Sequence, residues 1–258
     1  MIYFIVFTFG AIIGSFLNVV VYRSINEISI ISPPSFCPFC RKPIRWYDNI
    51  PIVSYILLSG RCRDCGSKIS LSYPAVEFIS GFITLVSFIR WWDIDIWWFL
   101  GSCLISYLLL VASVIDIRVM MLSDLFSYLV AFLGVVFSFS NPMFSGSIYD
   151  RIISSFYGII CGAGLMYLLL FFGKMIYNKD AVGEGDVFLL GAIGSVVGSK
   201  GIFDVIFISS LIGSVYGISF ILLKKASRHT PIPFGPFLSF ACMVKMILIF
   251  NLIDVFFK

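Results

Sequence analysis

Two kinds of residue in this chain have the type and spacing to do chemistry: paired cysteines, and carboxylates set beside apolar runs. Cys37-Pro-Phe-Cys40 and Cys62-Arg-Asp-Cys65 are separated by 21 residues, and Gly66 follows the second pair. Two such knuckles supply four thiolates, enough to close a tetrahedral zinc site of the structural kind with no position open to water. The alternatives are four thiols without metal, or two redox pairs. In a loop facing a reducing compartment the pairing favours a metal over disulfides. Catalytic zinc is disfavoured, because the only histidine, His229, lies far away in sequence. Cys103, Cys161 and Cys242 stand singly in apolar stretches and read as buried small hydrophobes.

An Asp at the centre of a membrane helix costs roughly 2.5–3.5 kcal/mol, so a carboxylate embedded near an apolar run is a functional candidate by default. Three qualify. Asp116 ends one run in V-I-D-I-R, Asp124 opens the next in L-S-D, and Asp186 closes G-E-G-D before V-F-L-L. Two carboxylates within a few ångströms cannot both ionise. One keeps a proton while the other deprotonates water, and the pair titrates as a unit. Gly183 and Gly185 remove side-chain bulk just before Asp186, which would admit the backbone of an extended substrate. Each aspartate also has a plainer reading: Asp124 as a helix N-cap beside Ser123, Asp116 as a helix-end charge at the headgroups near Arg118, and Asp186 as a complement to a helix dipole. Glu77 reads first as a polar contact between helices and second as part of a ligand site.

The elements that must position these residues follow from composition. Of 258 residues 60% are hydrophobic and only 12% charged, about half the charge of an average soluble domain. A soluble monomer is excluded. A membrane helix uses about 20 apolar residues, so the chain reads as an all-α polytopic membrane protein of about eight transmembrane helices with a small cytoplasmic four-cysteine zinc module. The apolar runs are 2–22, 73–90, 96–115, 125–139, 152–172, 187–197, 202–223 and 234–256. The first has no basic residue before it and Arg23 directly after, the reverse of a secretory signal. It reads as a retained helix with its N-terminus outside.

Alternating sides from there makes segments 23–72, 116–124, 173–186 and 224–233 cytoplasmic, and these hold 13 of the 18 basic residues, as the positive-inside rule requires. All three aspartates then fall at cytoplasmic helix ends, at one membrane depth. Trp91, Trp92, Trp97 and Trp98 flank an outside connection as an interfacial belt would. The run 187–197 is short enough for a broken helix. The expected division is a first helix (1–22), a zinc-binding module (23–72) and a membrane-embedded domain that carries the three aspartates (73–258). The net charge of +4 marks the cytoplasmic side and gives no argument for nucleic acid; the lipid bilayer is the surrounding partner.

Taken together, these residues resemble the type IV prepilin peptidases, membrane aspartic peptidases that are often also N-methyltransferases. The likeness runs nearly end to end. Gly14-Ser-Phe-Leu-Asn-Val-Val-Val-Tyr-Arg23 is similar to the family's N-terminal signature, and Cys37 to Glu77 to its cytoplasmic four-cysteine domain. Asp116 and Asp186 sit at the positions of its two catalytic aspartates, and Pro233-Phe-Gly-Pro-Phe-Leu238 matches a late motif. Two positions depart: Ser123 stands where the family usually has Pro, and Phe188 where it commonly has Lys.

The resemblance implies cleavage of a short basic leader from type IV prepilin or pseudopilin precursors at the cytoplasmic face of the bacterial inner membrane, serving pilus assembly or type II secretion. It also implies methylation of the new N-terminus with S-adenosylmethionine. No glycine fingerprint for a dinucleotide-type fold is present to bind that cofactor. Two other functions fit parts of the pattern: a G-x-G-D protease acting within transmembrane helices, and a secretion-system scaffold or carrier whose carboxylates relay protons or bind cations. The cytoplasmic-end position of the aspartates argues against the first. The second would show a chain of polar residues crossing the membrane, which the apolar runs lack.

Overall fold

The computed structural model describes residues 1–32, 34–177, 183–223 and 232–249, and these are helical with no strand beyond two isolated bridges. His229 and most of the connection 224–233 lie outside the described residues. The helices are α1 (Ile2–Ile25), α2 (Val53–Leu57), α3 (Ser72–Trp91), α4 (Ile96–Val119), α5 (Asp124–Val136), α6 (Ile148–Tyr177), α7 (Glu184–Leu222) and α8 (Gly235–Leu248). Five of them, α1, α3, α4, α6 and α7, are long and apolar enough to cross a membrane by length and composition. Two shorter apolar helices span Asp124–Ser140 and Gly235–Leu248.

The expected connection at 198–201 is continuous helix except at one residue. Gly198 holds φ 70 and ψ 175, a backbone conformation open to glycine and closed to most side chains. The break divides α7, so eight apolar helical segments match the eight runs of the sequence. A break frees carbonyls from the helical ladder. Asn141, fully buried, donates its Nδ2 to Val196 O at 2.7 Å just before it.

The chain forms two compact units, Met1–Trp92 and Asp93–Lys258. In the first, α1 lies against α3 through small residues. A side chain at Gly14 would meet Glu77 Cα at 2.7 Å, and Ser80 Oγ donates to Gly10 O at 2.8 Å. This is how membrane helices pack when burial of apolar surface gives no driving force between them. In the second unit α4 is buried along most of its length, from Trp98 to Asp116, as befits a helix apolar on every face. Helix α6 runs along α7, where Ser155 Oγ donates to Ser195 O at 2.7 Å. Lys245 of α8 pairs with Asp204 of α7 at 2.5 Å, both 1% exposed.

Three expectations need correction. Trp91 and Trp98 are buried and only Trp92 and Trp97 are exposed, so two of the four tryptophans face protein rather than an interfacial belt. Cys103 and Cys242 are buried as expected, but Cys161 is exposed on α6. Asp204 is a lone carboxylate inside the run 202–223, and the same cost argument that singled out three aspartates applies to it.

Candidate active site and cysteine cluster

Asp116 occupies the last turn of α4. The helix stops three residues later because Met120 adopts a left-handed conformation (φ 52), and its N–H returns to Asp116 O at 2.8 Å. The segment Met120–Ser123 then leads into α5. Asp186 sits in the first turn of α7 in a reciprocal cap: its N–H donates to Gly183 O at 3.1 Å, and Gly183 N–H donates to Asp186 Oδ2 at 3.3 Å. Both carboxylates are buried, at 5% and 8% exposure, and they interact electrostatically. Asp116 therefore does not face headgroups.

A third segment completes the arrangement. Gly235, the first residue of α8, donates its N–H to Asp116 Oδ2 at 3.0 Å. Any side chain at Gly235 would bring Cβ within 2.7 Å of that oxygen and 3.1 Å of Leu122 Cδ2. Gly185 approaches the same leucine, since a Cβ there would lie 2.7 Å from Leu122 Cβ. Its missing side chain makes room for the α4–α5 connection. Each aspartate thus receives one N–H from a helix start, the end where a carboxylate is favoured. Asp186 Oδ1 is buried without a hydrogen-bond partner, an acceptor held out of water and available to a water molecule or a substrate.

Asp124 is not part of this cluster in the same sense. It is exposed and is the first helical residue of α5, while Ser123 takes the N-cap position without a side-chain cap bond. Phe188 packs edge-on to Tyr128 of α5 with ring centroids 5.9 Å apart. Gly235 is the residue whose role the sequence concealed. It was visible only as part of Pro233–Leu238, with nothing in the spacing to tie it to Asp116.

In the first unit the four cysteines converge, with all Sγ atoms within 4.8 Å of one another and Cys37 and Cys65 at 3.9 Å. Tetrahedral zinc with Zn–S of about 2.3 Å needs sulfurs about 3.8 Å apart, so this donor set fits the ion. The two knuckles have the same local build. Cys37 N–H donates to Lys42 O and Arg41 N–H to Cys37 O; Cys62 N–H donates to Ser67 O and Gly66 N–H to Cys62 O. Arg41 (φ 61) and Gly66 (φ 70) take the same left-handed position after the second cysteine. The Arg63–Asp48 pair at 2.7 Å and Lys42–Asp64 at 3.4 Å tie the loops together.

The cluster is uneven without a cation. Burial opposes ionisation of Cys37, but the backbone N–H groups of Cys40 and Phe39 and the Ser67 hydroxyl outweigh it and bring the thiol down to about 6. At Cys40 the Lys42 backbone favours the thiolate, yet partial burial and the neighbouring Cys37 and Cys65 raise it to about 11. A divalent cation among the four sulfurs removes that mutual repulsion. Glu77, expected to contact another helix, accepts from Ile52 N–H of this module at 2.7 Å and from Ser15 of α1.

Comparison with known proteins agrees with this division. The model of the bacterial peptidase A24 N-terminal domain matches residues 8–91, and that of the type IV leader peptidase family matches residues 103–218. A type 4 prepilin-like proteins leader peptide-processing enzyme of Escherichia coli O78:H11 is 35% identical, over 89% of this chain and 88% of the relative. The chain belongs to the type IV leader peptidase family. A prepilin leader peptidase/N-methyltransferase of Bacillus subtilis is 34% identical, over 90% of this chain and 88% of the relative. One of Aeromonas salmonicida is 31% identical, over 94% and 89%. No solved structure matches. The chain is a membrane peptidase, and its two matched models fall one in each compact unit.

Proposed function

We propose that this peptidase cleaves the basic leader from type IV prepilin or pseudopilin precursors, with Asp116 and Asp186 activating the attacking water. The observation that carries the reading is the pair itself: two buried, interacting carboxylates from separate helices, each held by one backbone N–H, with Asp186 Oδ1 unpartnered. The ionised carboxylate takes a proton from water as the oxygen attacks the scissile carbonyl. The protonated partner hydrogen-bonds the carbonyl oxygen as negative charge develops there. Collapse breaks the C–N bond, and the leaving amine receives a proton from the pair. The G-x-G-D start of α7 and the Pro233–Leu238 motif serve this geometry by holding one carboxylate each.

The remaining assignments belong to the same reading. The enzyme lies in the bacterial inner membrane with its N-terminus outside and the aspartates at the cytoplasmic face, where a leader joins a transmembrane helix. Cys37, Cys40, Cys62 and Cys65 would hold structural zinc, which supplies folding energy to a loop too polar to form its own core. The names of the relatives support a second step, methylation of the new N-terminal amine with S-adenosylmethionine as donor. The test is incubation of membranes with a precursor pilin, with and without S-adenosylmethionine, followed by N-terminal mass analysis. Cleavage at the leader junction is expected in both, with a 14 Da increment only when the donor is present. An uncut precursor with correctly inserted enzyme would overturn the reading.

A further inference from the structure

The chemistry of the aspartate pair does not use Lys245 or Asp204, yet these two form an ion pair at 2.5 Å with both residues 1% exposed. Each stands inside an apolar run, where a charge is costly. Desolvating two ions can exceed the attraction they regain, so a buried pair is weak evidence for stability, and its best-attested use is to fix register. The placement of this pair suits that use. Lys245 is the only charged side chain of α8, and Asp204 is the only carboxylate of α7 beyond the break at Gly198. The lysine stem passes Gly201 on its way, since a Cβ there would lie 3.5 Å from Lys245 Cε. Apolar side chains in a membrane discriminate poorly between registers, because a slip of one turn exchanges one apolar contact for another. A cation with one matching carboxylate does discriminate: the same slip, about 5.4 Å, would separate the two ions.

Register matters because of what α8 carries at its other end. Gly235 starts the helix and donates its N–H to Asp116 Oδ2 at 3.0 Å, about 15 Å along the axis from Lys245. A side chain can turn to keep a contact, but a backbone N–H goes only where its helix goes. Helix α8 is thus held by a carboxylate at each end, Asp116 on its first N–H and Asp204 on the ammonium of its last turn. We propose that Lys245 and Asp204 are positioning residues for the peptidase site: their pairing fixes the axial register of α8 against α7 and thereby holds Gly235 N–H on Asp116. Neither residue touches the reacting atoms; both act through α8. The inference rests on the proposed cleavage of precursors by Asp116 and Asp186.

The test is a double-mutant cycle on turnover. Full-length enzyme in lipid nanodiscs is assayed on a precursor pilin, with the folded fraction followed by thermal unfolding so that turnover is counted per folded molecule. Lys245→Met removes the cation beside Asp204 and should lower kcat at least about tenfold, the scale of a misplaced catalytic group, while KM stays within about threefold because the precursor is still bound. Gly235→Ala disturbs the same contact from the other end of α8. Combined with Lys245→Met it should therefore cost little more than the slower single variant; losses that multiply would mean the two residues act independently and would overturn the proposal. A buried carboxylate deprived of its cation can prevent folding, so a second variant removes both charges. Lys245→Met with Asp204→Val replaces the pair by apolar side chains of similar size, a change that is often neutral for stability. It should fold and still lose at least about fivefold in kcat as the register loosens. Wild-type turnover in that folded variant would overturn the register role alone, and failure of that variant to fold would make the pair a stability element instead. No cleavage by correctly inserted wild type would overturn the peptidase reading and this inference with it.

Discussion

The cysteine cluster and the aspartate pair are assembled on different scales. Each knuckle closes on itself, Cys37 N–H on Lys42 O and Cys62 N–H on Ser67 O, so the ligand spacing is written into a few consecutive residues. The aspartate pair has no such local closure. Asp116, Asp186 and Gly235 come from three helix ends, and the Gly235–Asp116 bond joins positions 119 residues apart. A locally built site can be held by one metal ion. A site built across the bundle is held by helix packing, and it is correspondingly sensitive to a single atom added where backbones meet.

Replacing either aspartate of the proposed pair should have the largest effect. Asp116→Asn or Asp186→Asn keeps the shape of the side chain but cannot exchange a proton, and loss of acid–base catalysis typically costs about 10²–10⁴-fold. Cleavage of precursor should fall at least a hundredfold, while insertion and thermal unfolding stay as in the wild type. Either variant retaining more than about a tenth of the activity removes that residue from the chemistry, since a general base contributes more than this.

Gly235→Ala tests whether the pair depends on the third helix end. The new Cβ would sit 2.7 Å from Asp116 Oδ2 and 3.1 Å from Leu122, so the carboxylate or α8 must move. A misplacement of about 1 Å can cost about 10²-fold. Turnover should therefore drop by one to two orders of magnitude while KM changes little. Unchanged turnover in a folded Gly235→Ala enzyme would separate α8 from the site.

The module should fail differently. Structural zinc is worth roughly 10–16 kcal/mol to finger-type peptides, so replacing Cys62 and Cys65 by Ser should release the metal and loosen the loop between α1 and α3. Full-length precursor should then be bound less tightly, seen as a raised KM. A short peptide spanning only the cleavage site should still be turned over, because the aspartates lie in a different compact unit. Complete loss on the short peptide, with the second unit still folded, would make the module part of the chemistry.

What could be read from the sequence follows the same line. The four-cysteine cluster, the apolar runs and the burial of two aspartates at helix ends follow from spacing and hydropathy, which are local properties. The helix break at Gly198 was half visible, as an unusually short run before it. The bond from Gly235 was not legible, because a backbone N–H carries no side-chain signal and its partner is set by packing. Glu77 was legible in part for a related reason: its position in an apolar run pointed to another helix, which Ser15 of α1 supplies, but not to the strained backbone of the module, whose Ile52 N–H it also accepts. Lys245 and Asp204 carried a signal that went unused, each being a charge inside an apolar run.

The smallest effect is expected at Asp124, and it distinguishes being near the pair in sequence from belonging to it. Asp124 lies eight residues after Asp116, but it is exposed at the first position of α5, where an acidic residue complements the helix dipole. That contribution is typically about 0.3–1 kcal/mol and is weakened by salt. Asp124→Asn removes the charge while leaving Ser123 in the N-cap and Leu122 in place against Gly185. Activity should therefore stay within about fivefold of wild type, with the deficit shrinking as ionic strength rises. A loss as large as that of Asp116→Asn, insensitive to salt, would mean that Asp124 turns inward when a precursor binds. The working pair would then include a residue from the start of α5.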